Sequence, residues 1–191
     1  MKPLAKEIVE EIVTELYRQR VLSNLMRPLY VEHLLARLLA GQCRCVGADW
    51  SGWDLEDADS GMRIEVKQSA ARQTWSREKP AKPIFDIAER TGYYANGTTW
   101  ITVPRRPADM YKFAWHPGFD PDAAVDHTDP QQWDFYLVRE RDLPTGQKSI
   151  GLANILKLPH LAARYDTVGA KVDAMRPQLA PLKATRAYVG S

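Results

Sequence analysis

The chain has 191 residues, 45% of them hydrophobic and 26% charged, with a formal net charge of only +2. That length suits one ordinary domain and is short for two, and the composition excludes a disordered chain. No apolar run approaches the roughly 18 residues that a bilayer span requires, so no membrane partner is expected.

In chain order, the N-terminal stretch MKPLAKEIVEEIV interrupts its apolar residues with acids. A secretory leader needs an unbroken apolar segment, so a cytoplasmic protein is expected. Residues 4–20 predict an amphipathic helix: Ile8, Val9, Ile12, Val13 and Leu16 recur at helical spacing, with Glu7, Glu10, Glu11 and Glu15 opposite. Its stripe is expected to pack within the chain. Pro28 can open a second helix, and Gly41 sits where a C-terminal cap belongs. Glu32 and His33 are the polar intruders on that helix.

Short strands follow. Cys43 to Ala48 reads as a weak first one; Cys43 and Cys45 point to opposite faces there and predict no disulfide. Trp53 to Glu56 and Met62 to Lys67 predict a hairpin across Asp57-Ala58-Asp59-Ser60-Gly61. Residues 68–83 predict a loop with room for a short helix. Trp100 to Val103, Met110 to Trp115 and Phe135 to Val138 are further strand candidates. Residues 116–132 predict a long surface loop, 152–165 a last helix interrupted at Pro159, and the final ~25 residues little regular structure. Strands clustered between helices predict an α/β domain with a central mixed sheet flanked by helices.

Charge is distributed unevenly. From Val46 to Gly61 every charged residue is acidic, whereas from Gln68 to Lys112 bases lead. An acidic centre between basic flanks suits a cation site beside a phosphate-binding surface. Alternation along the hairpin places Trp53 and Leu55 on one face and Asp54 and Glu56 on the other. Met62, Ile64 and Val66 likewise oppose Arg63, Glu65 and Lys67. With the apolar face on the core, Asp54, Glu65 and Lys67 emerge together. Paired strands lie only about 4.8 Å apart, so the two carboxylates can grip one hard cation, Mg²⁺ with Mn²⁺ as the alternative. The carbonyl of Val66 can add a third ligand. Lys67 can orient a water or meet a phosphate. The bland alternative is a solvated hairpin face with ordinary surface charges.

Asp54 followed by Glu65-Val66-Lys67 resembles the PD-(D/E)XK nuclease superfamily, to which many type II restriction enzymes belong. Trp53 stands where the proline of that signature would be. The resemblance covers roughly residues 27–75. It implies a restriction-endonuclease-like core: a helix, strands bearing the acids and the lysine, then a further helix and strand. It also implies a glutamate on the preceding helix facing the site, which Glu32 matches. On this reading residues 1–191 form a single nuclease domain, with an N-terminal helix in 1–26, the core in 27–158 and a C-terminal extension in 159–191. The resemblance further implies a Mg²⁺-dependent endonuclease acting on DNA (RNA being the other possible substrate) in bacterial restriction, defence or repair. A homodimer is expected if both strands are cut. The alternative is an idle nuclease-fold module that binds nucleic acid or a protein partner.

Gln68, Arg72, Gln73 and Trp75 follow the lysine and can reach phosphates or bases; Lys79 and Lys82 are candidate phosphate contacts. Arg105 and Arg106 could grip a phosphate, and His116 could lie at the mouth of the site. The aspartates of the 116–132 loop lack the spacing of a calcium-binding loop.

Overall fold

The computed structural model describes residues 3–39, 41–47, 50–75, 78–95, 98–102, 106–120 and 124–179. Helices α1 (Pro3–Tyr17) and α2 (Met26–Leu38) precede strands β1 (Cys43–Cys45), β2 (Leu55–Asp57) and β3 (Arg63–Ala70). Three short strands follow: β4 (Ile84–Asp86), β5 (Tyr93–Ala95) and β6 (Thr99–Ile101). The long strands β7 (Met110–His116) and β8 (Asp134–Arg139) come next, then β9 (Ser149–Gly151), α3 (Leu152–Ile155), β10 (Leu161–Ala163) and α4 (Val168–Leu179).

The central sheet has six strands in the order β1-β2-β3-β7-β8-β10. β3 and β7 are parallel; every other neighbour pair in the sheet is antiparallel. The chain is therefore mixed α/β with a central mixed sheet, as its element pattern predicts. Two small antiparallel ribbons, β4 with β9 and β5 with β6, stand outside this sheet.

Alternation along β3 and β7 feeds two cores. Ile64, Val66, Met110 and Ala114 face Val31 and Leu35 of α2 and Val172 of α4. Tyr111, Phe113 and Trp115 face Phe85, Ile87 and Ile150 from the β4–β9 ribbon and its flank. Each fully buried aliphatic side chain contributes about 1.5–3 kcal/mol of transfer free energy, so both layers matter to the sheet. The hairpin turn closes on Gly61 at φ 64°, and α2 ends before Gly41 at φ 76°, both left-handed positions that glycine adopts without strain.

Several expectations need correction. Among the described residues the stripe of α1 is left uncovered: Ile8, Val9, Ile12 and Val13 are about half exposed, at 46–50%. The tail to Leu179 is not loose. α4 carries Gly169 and Pro177, poor helix formers, so its helicity rests on tertiary burial of Val168, Val172, Met175 and Leu179 at helical spacing. Residues 152–165 form one helical turn and then β10 rather than a single interrupted helix. Residues 159–179 thereby supply a sheet strand and a packing helix, not an extension; residues 180–191 lie outside the described residues. The 116–132 segment is not simply a surface loop. His127 is fully buried, its ring 4.7 Å from that of His116, and its Nδ1 accepts from the Leu22 amide at 3.1 Å. Residues 68–75 and 78–83 contain no helix. Among the described residues no helix is long and apolar enough to cross a membrane.

Candidate active site

β2 and β3 pair only through Leu55↔Ile64 and Glu56↔Arg63. Just beyond that pair the Asp54 amide still donates to the Ile64 carbonyl at 3.0 Å. There the strands fork. The Val66 amide, which has lost its main-chain acceptor on that side, donates instead to Asp54 Oδ2 at 2.7 Å. A backbone divergence thus seats the first carboxylate against the strand that bears the second.

Trp53 and Leu55 do not share one face as alternation predicts, because β2 begins at Leu55. Leu55 enters the core beneath α2, whereas Trp53 enters the opposite core against Tyr93 at 5.9 Å between ring centroids. Glu65 does keep its predicted parity, opposite Ile64 and Val66. That face is covered, however, and Glu65 is only 2% exposed. A solvated hairpin face is therefore excluded for this residue.

Glu65 Oε1 accepts from Lys67 Nζ at 2.6 Å and from an Arg90 guanidinium nitrogen at 3.0 Å. Its second oxygen, Oε2, is buried without a hydrogen-bond partner. Leaving a buried carboxylate oxygen unsatisfied costs on the order of a few kcal/mol, and such an atom calls for an explanation. Burial, and then the charges of Glu65 and Glu32, push the Asp54 carboxyl up to about 7, against the Val66 hydrogen bond that pulls it down. Glu32 is raised by burial and by Glu65. Burial alone would lower Lys67, but the charge and hydrogen bond of Glu65, with help from Asp54, outweigh it and hold the ammonium above its usual value. Glu32, Asp54, Glu65 and Lys67 are therefore brought into one electrostatic unit.

These residues fit a divalent cation in a limited sense. Asp54 and the unpartnered oxygen of Glu65 are hard, anionic ligands, and the Val66 carbonyl lies between Glu65 and Lys67 in sequence. Among the described residues no three His, Cys, Asp or Glu side chains form a ready ligand cluster. Mg²⁺ commonly takes one or two carboxylates and completes its shell with water and substrate phosphate, so two acids suffice.

The residues after Lys67 serve other ends. Gln68 and Gln73 both accept from the buried Arg27 guanidinium, the latter at 3.1 Å, and Gln73 also donates to the Ala70 carbonyl at 2.7 Å. Gln73 is buried, so its amide is committed to holding the end of β3 against α2. Arg72 lies over the Phe119 ring at 5.6 Å. Lys79 and Lys82 are exposed. Arg106 is buried and donates to the Ile87 and Pro144 carbonyls, a packing role rather than a phosphate grip; Arg105 lies outside the described residues. His116, at the end of β7, is buried and turned toward the Asp126 carbonyl. Arg90 is the residue in contact with this cluster that sequence reasoning missed. It lies 25 positions from Glu65 in a polar stretch with several other bases, and no spacing marks it out.

Comparison with protein-family models, with curated proteins and with solved structures returned no match to this chain.

Proposed function

We propose that this chain is a divalent-cation-dependent endonuclease that hydrolyses DNA phosphodiesters, of the PD-(D/E)XK kind and serving bacterial restriction, defence or repair. One observation carries the reading: a carboxylate buried on a sheet strand, with one oxygen held by two cations and the other left without a partner beside Asp54. Structural carboxylates are ordinarily satisfied, and perturbed acids in clusters mark functional sites. The order helix, β1, β2, β3, then a parallel β7 also supports the reading. The β3-to-β7 crossover departs from the family core, since its described residues hold β4, β5 and β6 and no helix.

In this reading Asp54, Glu65 and the Val66 carbonyl hold Mg²⁺ or Mn²⁺, which when bound supplies a polarised water and neutralises phosphate charge. Lys67 stays protonated at neutral pH, so it donates and does not abstract a proton. It holds the ammonium toward the water or a non-bridging phosphate oxygen. Arg90, which donates to Glu65 at 3.0 Å, would offer a second cationic donor to a substrate phosphate. Glu32 keeps the local field negative and orders water at the edge of the site. Cutting both strands of a duplex would take a second copy of the chain, and the mass in solution tests that homodimer.

The decisive experiment incubates plasmid, single-stranded DNA and RNA with the protein and Mg²⁺ or Mn²⁺, alongside Asp54→Ala and Lys67→Met. Cleavage by wild type alone is expected. Identical behaviour of wild type and both variants on every substrate would sink the reading. The idle-module alternative draws on the neutralisation of Glu65 by Lys67 and Arg90, and predicts binding without cleavage by wild type.

A further inference from the structure

Close to this site, and not used by the chemistry above, is an exposed aromatic cluster. Trp50 is 65% exposed, Trp100 43% and Tyr94 39%. The rings touch one another edge to face: Trp50 and Trp100 have centroids 6.4 Å apart, Tyr94 and Trp100 5.0 Å. Such side chains ordinarily sit inside, and a group of three in contact at the surface is more than scatter.

The cluster is built, not incidental. The Tyr94 amide donates to the Trp50 carbonyl at 3.0 Å, and Ser51 bridges Tyr94 in parallel fashion. Gly92 leaves no room for a side chain: a Cβ there would collide with the Trp100 ring and come within 2.9 Å of the Ile101 carbonyl oxygen. A Cβ on Gly52 would stand 2.7 Å from the Tyr93 ring. Two glycines therefore let the β5–β6 ribbon close onto the segment Trp50 to Asp54. That segment ends at a proposed cation ligand, and the ribbon begins three residues after Arg90, which touches Glu65. Four residues of extended chain reach at most about 14 Å, or about four steps at the 3.4 Å nucleotide rise of a duplex.

We propose that Trp50, Tyr94 and Trp100 form a stacking platform for unpaired nucleobases, so that the site takes single-stranded or locally opened nucleic acid in preference to continuous duplex. The proposal rests on the nuclease reading for its substrate class. Aromatic faces hold bases of any identity by stacking, but they can do so only where the bases are not already paired and stacked in a helix. The phosphates of the same strand then run toward Lys67 and Arg90, whose side chains are 23% and 32% exposed and form the accessible cationic edge of the site. Stacking supplies affinity without sequence, and the cationic edge supplies register.

The test measures binding of a 5′-labelled 20-nucleotide oligo(dT) and of a 20-base-pair duplex by fluorescence anisotropy, at one fixed salt concentration in EDTA so that no turnover intervenes. Wild type is expected to prefer the single strand, with quenching of tryptophan emission on binding. Trp50→Ala, at the most exposed ring, should weaken the single strand by at least about fivefold. Trp100→Phe keeps a ring over Gly92 and should lose less. Leu156→Ala, an exposed apolar control, should change nothing. Equal affinity of wild type for both DNAs, unmoved by Trp50→Ala, overturns the platform. So does a Trp50→Ala protein that loses a protein partner but keeps its oligonucleotide affinity. Full-rate cleavage of single-stranded DNA by Trp50→Ala would likewise overturn the platform and leave the nuclease standing. Binding that depends on Trp50 in a protein that cleaves nothing would keep the platform and remove the nuclease.

Discussion

Two lysines sit on adjacent strands of the same sheet and on opposite faces of it. Lys67 of β3 lies beside Glu65, and Lys112 of β7 pairs in register with Val66. Lys67 is partly covered, its side chain 23% exposed, whereas Lys112 is sealed in the core, and their chemistry diverges. Lys67 is held charged by two acids. Lys112 is 0% exposed, its Nζ has no hydrogen-bond partner, and burial pushes it down to about 7. Burial thus decides only that a charge is expensive. The neighbours decide whether the group answers by pairing or by giving up its proton. A lysine that keeps its charge in a covered site can serve a phosphate; one that sheds it only costs stability.

Four measurements can break or sharpen that contrast. The largest expected effect is on Lys67→Met: a loss of about ten- to a hundredfold in cleavage, the scale on which residues supporting a metal site act. It also leaves Glu65 with Arg90 alone, and should lower stability by about 1–3 kcal/mol in denaturant unfolding. A variant that cleaves normally would remove Lys67 from the chemistry.

Lys112→Met should do the reverse, raising stability by roughly 2–5 kcal/mol at pH 7 with cleavage unchanged. The sign follows from the lowered pKa. Below about 7 both folded and unfolded chains carry the proton, and the cost of burying it is complete. As pH rises from about 7 toward the ordinary value of 10.5 the folded chain is neutral, and the cost fades. The gap in melting temperature between variant and wild type should therefore narrow between pH 7 and 10. A constant gap would place the cost in packing, not in the proton.

Asp54 provides the third measurement. Its pKa near 7 means that a cation must displace a proton below that pH. Calorimetric Mn²⁺ affinity should thus increase about tenfold from pH 6 to pH 8. Without a cation, the raised pKa makes Asp54 cost stability progressively from its ordinary 3.8 up to about 7, and in full above it. Glu65→Gln removes the nearest charge and should shift that pH dependence downward while weakening binding. A flat affinity across this range would detach Asp54 from the cation.

The smallest effect belongs to Lys79→Ala and Lys82→Ala. Each lysine, if it meets a phosphate, should reduce the salt slope of DNA binding by about 0.9 without altering preference between sequences. An unchanged slope removes them from the interface.

Much of the site was legible along the chain because it is local. The acids and the lysine lie on one hairpin; alternation along β3 settles that Glu65 and Lys67 share a face, whereas Asp54 joins them through the fork that turns its carboxylate to the Val66 amide. Glu32 was readable only through the resemblance, since nothing in a helix pattern says which face meets a strand fork. Arg90 was not readable at all, and Gln73, adjacent enough to tempt, is turned inward by Arg27. In the fold, long strands with strong alternation could be predicted, while β10 and α4 could not: three residues carry no period, and a helix containing Gly169 and Pro177 owes its existence to the core beneath it.

The sequence by itself determined that the chain is mixed α/β and that Glu65 and Lys67 share a strand face, because backbone periodicity is a local property. Only the tertiary structure decided that this face is covered, that Glu65 keeps one oxygen unpartnered, that α1 stays unburied and that three aromatic rings meet beside the site. Those outcomes depend on which distant segments close over each face of the sheet. Burial and pairing between residues far apart in sequence leave no trace in local spacing.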